Sequence, residues 1–266
     1  MAWALVNSQN GDSAFTNGTS ATLTKPTGVT SGGLLVAAVA CDISAGGDPG
    51  VAAISGFTAA GSQYEPAQFQ GSIRLSVMYK IATGSEPSSY SASWASSAAY
   101  AWGIAFFTGN AGTSPLDQAT MGGDPSSGAT NIVAPALTGL AASDDLLVCA
   151  FANPGGANPY TMPGGLTTMF NNNQGNTDQV FLGMGYLALS ATSSSAQTGT
   201  ASGGNPNAAA AMAFLAAGGG GGGGGATDDV AARGGVAQAL ILMRERASGL
   251  FEPVREILKP WRPVMA

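Results

Sequence analysis

The chain has 266 residues, of which 45% are apolar and only 9% are Asp, Glu, Lys or Arg. A core of ordinary size is available, but the charged fraction is far below the roughly one quarter of a typical soluble domain, so Ser, Thr, Asn, Gln and Gly must cover the surface. The net charge of -6 argues against nucleic acid as a partner. The lack of any histidine removes the usual general base, the Ser-His and Cys-His dyads and the commonest zinc ligand.

At the N-terminus, Met1 to Asn7 shows neither a basic segment nor a long apolar one, so no secretory signal is expected. No run reaches the 18 or so apolar residues of a membrane helix; the longest, Ala208 to Ala217, has ten. Membrane association is therefore not expected.

Strands are predicted at Trp3–Asn7, Ser20–Lys25 and Leu34–Cys41. The clearest follows, where Ile73, Leu75, Val77, Tyr79 and Ile81 alternate with Arg74, Ser76, Met78 and Lys80, the period-two pattern of a strand with one buried face. Further strands are predicted at Tyr100–Phe107, Asn131–Leu137, Leu146–Ala152, Val180–Leu189 and Met212–Leu215, with Gly109 to Thr130 as the one long connection. Asn10-Gly11, Asn17-Gly18, Gly46-Gly47, Gly122-Gly123, the Asn153–Gly156 stretch and Pro163-Gly164-Gly165 carry turn chemistry. Many short strands with frequent turns predict an all-β, jelly-roll-like sandwich.

The second half echoes the first at an offset near 108 residues. Leu34-Leu35-Val36 corresponds to Leu146-Leu147-Val148, and Gly56-Phe57 to Gly165-Leu166. Ile73, Leu75, Val77 and Tyr79 correspond to Val180, Leu182, Met184 and Tyr186, and Ile104-Ala105-Phe106 to Met212-Ala213-Phe214. Two pseudo-repeated halves, about 20–109 and 130–217, are expected within a body spanning 1–217. Two small sandwiches in tandem would fit the repeat, but a shared core is favoured, because each Ala- and Gly-rich half alone would bury little large apolar surface. Cys41 and Cys149 lie in or beside apolar runs and are expected as buried free thiols.

Eight consecutive glycines, Gly218 to Gly225, mark a linker over 218–226. It is no phosphate loop, since Ala226-Thr227-Asp228-Asp229 follows in place of Gly-Lys-Ser/Thr. Residues 227–266 are expected to form a short α-helical tail of opposite charge sign: from Arg233 onward it has six cations against three carboxylates, whereas the body has three cations, Lys25, Arg74 and Lys80, against ten carboxylates. Val236, Leu240 and Met243 make one apolar stripe. Leu250, Phe251, Val254, Ile257, Leu258 and Trp261 supply a second apolar surface. So short a segment with an apolar stripe needs a surface to lie against. These nine residues are the expected partner contacts, in a homo-oligomer, a trimer first, or against other proteins of a particle.

No catalytic residue, cofactor site or metal site is assigned. Glu65 and Glu86 are the carboxylates to consider for glycoside hydrolysis, but each precedes a proline and reads as a loop residue. Asp42, Asp48, Asp124, Asp144 and Asp145 lack the Asp-x-Asp-x-Asp-Gly spacing of a calcium loop. Trp94 and Trp102, with Tyr90 and Tyr100, would stack on glycans if exposed, and at strand spacing would otherwise fill the core.

The stretch Val77–Trp94 (VMYKIATGSEPSSYSASW), with Gly56-Phe57-Thr58 before it and Ile104–Gly109 and Ser114–Asp117 after it, resembles a pattern in virion-associated β-sandwich proteins of tailed phages and their prophage relatives. The resemblance covers about residues 20–150. It departs at the corner, where Phe107-Thr108-Gly109 has no Arg, so no role of that Arg carries over. It implies a fibre, decoration or tail-tip role in a virion assembled in the host cytoplasm, with other virion proteins and a host-surface glycan as possible partners. Carbohydrate-binding adhesin and polysaccharide-degrading enzyme are the competing readings.

Overall fold

The computed structural model describes residues 2–13, 16–43, 47–65, 72–109, 112–126, 129–155, 160–172 and 180–217. The predicted linker and helical tail lie outside them. Seventeen strands and no helix occupy the described residues, and all strand pairs are antiparallel. The first half holds β1 (Ala4–Asp12), β2 (Gly18–Thr24), β3 (Leu34–Ile43), β4 (Ala53–Ile54), β5 (Thr58–Glu65), β6 (Ser72–Ile81) and β7 (Ser89–Thr108). The second holds β8 (Leu116–Asp124), β9 (Asn131–Ala134), β10 (Leu137–Thr138), β11 (Leu146–Asn153), β12 (Tyr160–Thr161), β13 (Thr167–Asn172), β14 (Phe181–Ala188), β15 (Ser193–Ser194), β16 (Gln197–Ala201) and β17 (Asn207–Phe214).

The halves repeat one topology. The large sheet of the first runs β1-β7-β3-β6-β5, and that of the second runs β8-β17-β11-β14-β13. The N-terminal part of β7 leaves the large sheet and pairs with β2 and β4, as β16 pairs with β9 and β12. Registers agree as well: Leu34 pairs with Phe107 as Leu146 pairs with Phe214, and Val36 pairs with Tyr79 as Val148 pairs with Tyr186. The Gly-Phe and Gly-Leu turns match too, Phe57 N donating to Ile54 O and Leu166 N to Pro163 O, each at 3.1 Å.

These registers correct one sequence match. Phe214 corresponds to Phe107 rather than to Phe106. A one-residue slip moves a strand residue to the other face, and Phe107 and Phe214 both enter the core between the large sheets while Phe106 enters the outer core of the first half.

The sheets pack face to face with their edges matched crosswise, β1 beside β13 and β5 beside β8. Since β1 is equivalent to β8 and β5 to β13, the halves are related by a pseudo-two-fold axis, the arrangement of an isologous dimer within one chain. The core between them takes Leu34, Val36, Ala38 and Ala40 from β3 and Leu146, Val148, Ala150 and Ala152 from β11. The alternate residues of the same strands, Leu35, Ala37, Val39 and Cys41, and Leu147, Cys149 and Phe151, fill two outer cores under the small sheets. The shared core and the tandem sandwiches expected as alternatives thus coexist: each half is a two-layer unit, and the large sheets are joined by a common core. Cys41 and Cys149 are buried free thiols.

Two glycine-bearing dipeptides read as turns, Asn10-Gly11 and Gly122-Gly123, lie inside strands instead. A Cβ on Gly11 would meet the Trp102 ring at 2.8 Å, and one on Gly123 would overlap the Glu65 carboxyl, so these glycines permit close packing rather than chain reversal. The predicted long connection Gly109 to Thr130 contains β8, the edge strand paired with β17. Its sequence, Leu-Asp-Gln-Ala-Thr-Met-Gly-Gly-Asp, has no clean alternation.

Across the central core Phe170 of β13 covers Gly103 of β7, where a Cβ would overlap the ring. Gly103→Ala should therefore destabilise the protein by about 1–3 kcal/mol through overpacking. Combining it with Phe170→Leu should cost less than the sum of the single changes, as read by chemical denaturation; strict additivity would contradict this contact.

Candidate functional site

Trp94 and Trp102 are buried, 6% and 8% exposed, in the outer core of the first half. Trp94 donates Nε1–H to Gly18 O at 2.9 Å and meets Tyr100 edge-on at 5.1 Å between centroids, while Trp102 lies against Gly11. The exposure that glycan stacking requires is absent at both, because Trp94 from the small sheet and Trp102 from the large sheet both enter the outer core between those layers. The expected partner contacts Val236, Leu240, Met243, Leu250, Phe251, Val254, Ile257, Leu258 and Trp261 lie outside the described residues.

Glu65 and Glu86 are not brought together. Glu65 pairs with Ile73 near the start of β6, and Glu86 accepts a hydrogen bond from Lys80 near its end. The seven residue steps from Ile73 to Lys80 span about 23 Å of strand, far beyond the separation of a glycosidase carboxylate pair. Glu65 is buried and accepts from Gln63 Nε2 at 2.7 Å.

Glu86 instead organises the turn after β6. Its side chain, 2% exposed, accepts from Lys80 Nζ at 2.8 Å, Thr83 N at 2.7 Å, Thr83 Oγ1 at 2.9 Å and Tyr90 OH at 2.8 Å. Lys25 Nζ donates to the Glu86 carbonyl at 3.2 Å, tying in the end of β2. Burial alone would raise the Glu86 carboxyl, but the bonds led by that from Lys80 outweigh it and hold the group at about 2. Burial and the bond to Glu86 push the Tyr90 hydroxyl up. A general acid needs the opposite shift.

A second polar cluster fixes the 47–50 segment to β6. Arg74 donates Nε–H to Asp48 Oδ1 at 2.7 Å, pairs through Nη2 with Asp48 Oδ2, and donates Nη1–H to Ser62 at 3.0 Å, with Tyr64 5.0 Å from its guanidinium carbon. The Arg74 bond holds the Asp48 carboxyl below its ordinary value. Asp124 accepts from Ser126 N at 2.8 Å and closes the turn after β8.

One carboxyl pair was missed in the sequence. Asp145, at the head of β11, is 0% exposed with neither oxygen receiving a donor, and the group in hydrogen-bonding reach is the Asp117 carboxyl on β8. Asp117 Oδ2 accepts from Ala141 N at 2.7 Å. Burial foremost, then the bond and charge of Asp117 and the charge of Asp144, push Asp145 up to about 7. Twenty-eight residues separate the two acids, so no local spacing signals the pair. No group of three or more acidic or Cys ligands that could hold a metal occurs among the described residues.

No family model, curated protein or solved structure matches the chain.

The Glu86 network carries a pH dependence. Its folded-state value lies below the unfolded one, so its stabilisation is complete above about pH 4.5 and is lost as the pH falls through about 2. Glu86→Gln should cost about 1–3 kcal/mol at pH 7. It should also flatten the fall in melting temperature between pH 5 and pH 2, measured by circular dichroism against the unaltered chain.

Proposed function

We propose that the chain is a structural, non-catalytic protein of a tailed-phage virion: a head fibre, decoration or tail-associated fibre protein that displays its β-sandwich and docks through residues 227–266. The strand order of each half supports a jelly-roll-like reading, apart from its fifth strand. The large sheet takes the first, eighth, third and sixth strands and the small sheet the second, seventh and fourth, if β7 counts as two strands; β5 joins the large sheet's edge.

The observation that carries the reading is the use of the polar side chains. The clusters around Glu86 and Arg74 tie turns and segments to strands, and the two glutamates considered for catalysis stand at opposite ends of β6. A sparsely charged surface over a doubled, Ala-rich sandwich suits a protein that presents a fixed shape. The cationic, apolar-striped tail suits attachment to a neighbour or to two further copies of itself. The glycan-binding alternative loses Trp94 and Trp102, and the enzyme alternative loses its carboxylate pair.

Mass spectrometry of purified particles should find the full chain in stoichiometric amount. A chain ending at Ala217 should keep the thermal unfolding of the body but fail to join particles and sediment as a smaller species. Its normal incorporation would refute docking through the tail, and absence of the full chain from virions would refute the virion role itself.

A further inference from the structure

The equivalence of the halves isolates Asp145. Ala82 N donates to Gly33 O at 2.8 Å, and Leu189 N donates to Asp145 O at 2.8 Å. Asp145 thus occupies in the second half the place of Gly33 in the first. A Cβ on Gly33 would overlap the Phe106 ring, which fills that corner. The residue equivalent to Phe106 is Ala213, so the second half has no ring at that place. Two carboxylates facing each other are acceptors without a donor, and burial without a partner is costly for a charge. The charged groups acting on Asp145 are Asp117 from β8 and the neighbouring Asp144. The cations of the described residues, Lys25, Arg74 and Lys80, all belong to the first half, where they bond to Glu86 and Asp48.

The pair stands where the body closes. Asp117 follows Leu116, which pairs with Phe214 at the end of β17. Leu215 N donates to Pro115 O at 2.8 Å, and Ala217 N to Gly109 O at 2.7 Å. On the other side, Ala141 N ties Asp117 to the loop before β11.

We infer that Asp145 is a proton-operated latch: protonated, it donates a hydrogen bond to the Asp117 carboxylate and clamps β8 to the head of β11; ionised, it is repelled by Asp117 and Asp144 and loosens that corner. The latch is independent of the virion reading. Its sign follows from linkage: the folded-state value of Asp145 lies above the unfolded one, so the stabilisation is complete below about pH 3.8 and is lost as the pH rises through about 7.

The test uses the full chain in the presence of a chelator. A carbon-13 carboxyl titration should give Asp145 a midpoint near 7, and the melting temperature should fall by several degrees between pH 5.5 and pH 8. Asp145→Asn, which keeps the shape and removes the titration, should abolish that fall. A midpoint below 5 in the unaltered chain would overturn the latch, whether or not the variant folds, and so would an undiminished fall in Asp145→Asn. Recovery of the pH 8 melting temperature on adding calcium to the unaltered chain but not to Asp145→Asn would also overturn it, by putting a cation rather than a proton between the carboxyls.

Discussion

The burial of β3 and β11 on both faces is the constraint from which the rest of the body follows. Each runs through the middle of its large sheet, with the other half on one side and its own small sheet on the other. A strand with water on neither face needs an apolar residue at nearly every position, and Leu34–Cys41 and Leu146–Ala152 supply them. Side-chain size is restricted as well, because three cores must close around two sheets. Alanine fills much of β3, β11 and β17, while Phe107 and Phe214 fill equivalent ends of the shared core. The high glycine content belongs to the same economy of space, with Gly103 under Phe170 and Gly61 against Met121 where the halves meet.

The elements legible in the sequence are those whose pattern the core dictates. β6 shows alternation because one face meets the shared core and the other is partly open, and β3 and β11 show as continuous apolar runs. Among the unread elements, β5, β8, β13 and β16 are short or lie at sheet edges, and carry Gly, Ser, Thr and Asn in place of large apolar residues. Their strand form comes from pairing with a neighbour, information that is not local. Asn10-Gly11 and Gly122-Gly123 misled for a related reason: a glycine that admits a ring or carboxyl from another strand has the same local sequence as one that turns the chain. Of the candidate site, the burial of the tryptophans was foreseeable from strand spacing, whereas the Asp117–Asp145 pair depends on the contact between β8 and the head of β11.

The internal duplication is a physical account of the sequence echo and also shows where the halves part. Positions in the shared core echo, since both halves face the same surroundings across the pseudo-two-fold axis. Positions at the corners diverge by paired exchange: Gly33 with Phe106 in the first half, Asp145 with Ala213 in the second. In the first half the Phe106 ring lies where a Cβ on Gly33 would be, and in the second half the larger residue is at the strand head and the smaller one opposite. Swapping only one member of either pair would leave a void or an overlap, so the two differences must be read together.

The two buried acids show how environment alone divides one functional group into two behaviours. Glu86 receives an ammonium, a backbone N–H and two hydroxyls, so its charged form is favoured at a turn that holds β2, β6 and β7. Asp145 receives no donor and faces a second carboxyl, so its neutral form is favoured. The first contribution fades as the pH drops below about 4.5 and the second as it rises through about 7. Since the Asp145 contribution is complete only below about pH 3.8 and that of Glu86 only above about pH 4.5, their sum is greatest at about pH 4, with the first half limiting it on the acid side and the second half on the alkaline side. In the latch reading, the two halves of a duplicated fold respond to protons in opposite senses, the alkaline-sensitive group standing where β8 meets the head of β11.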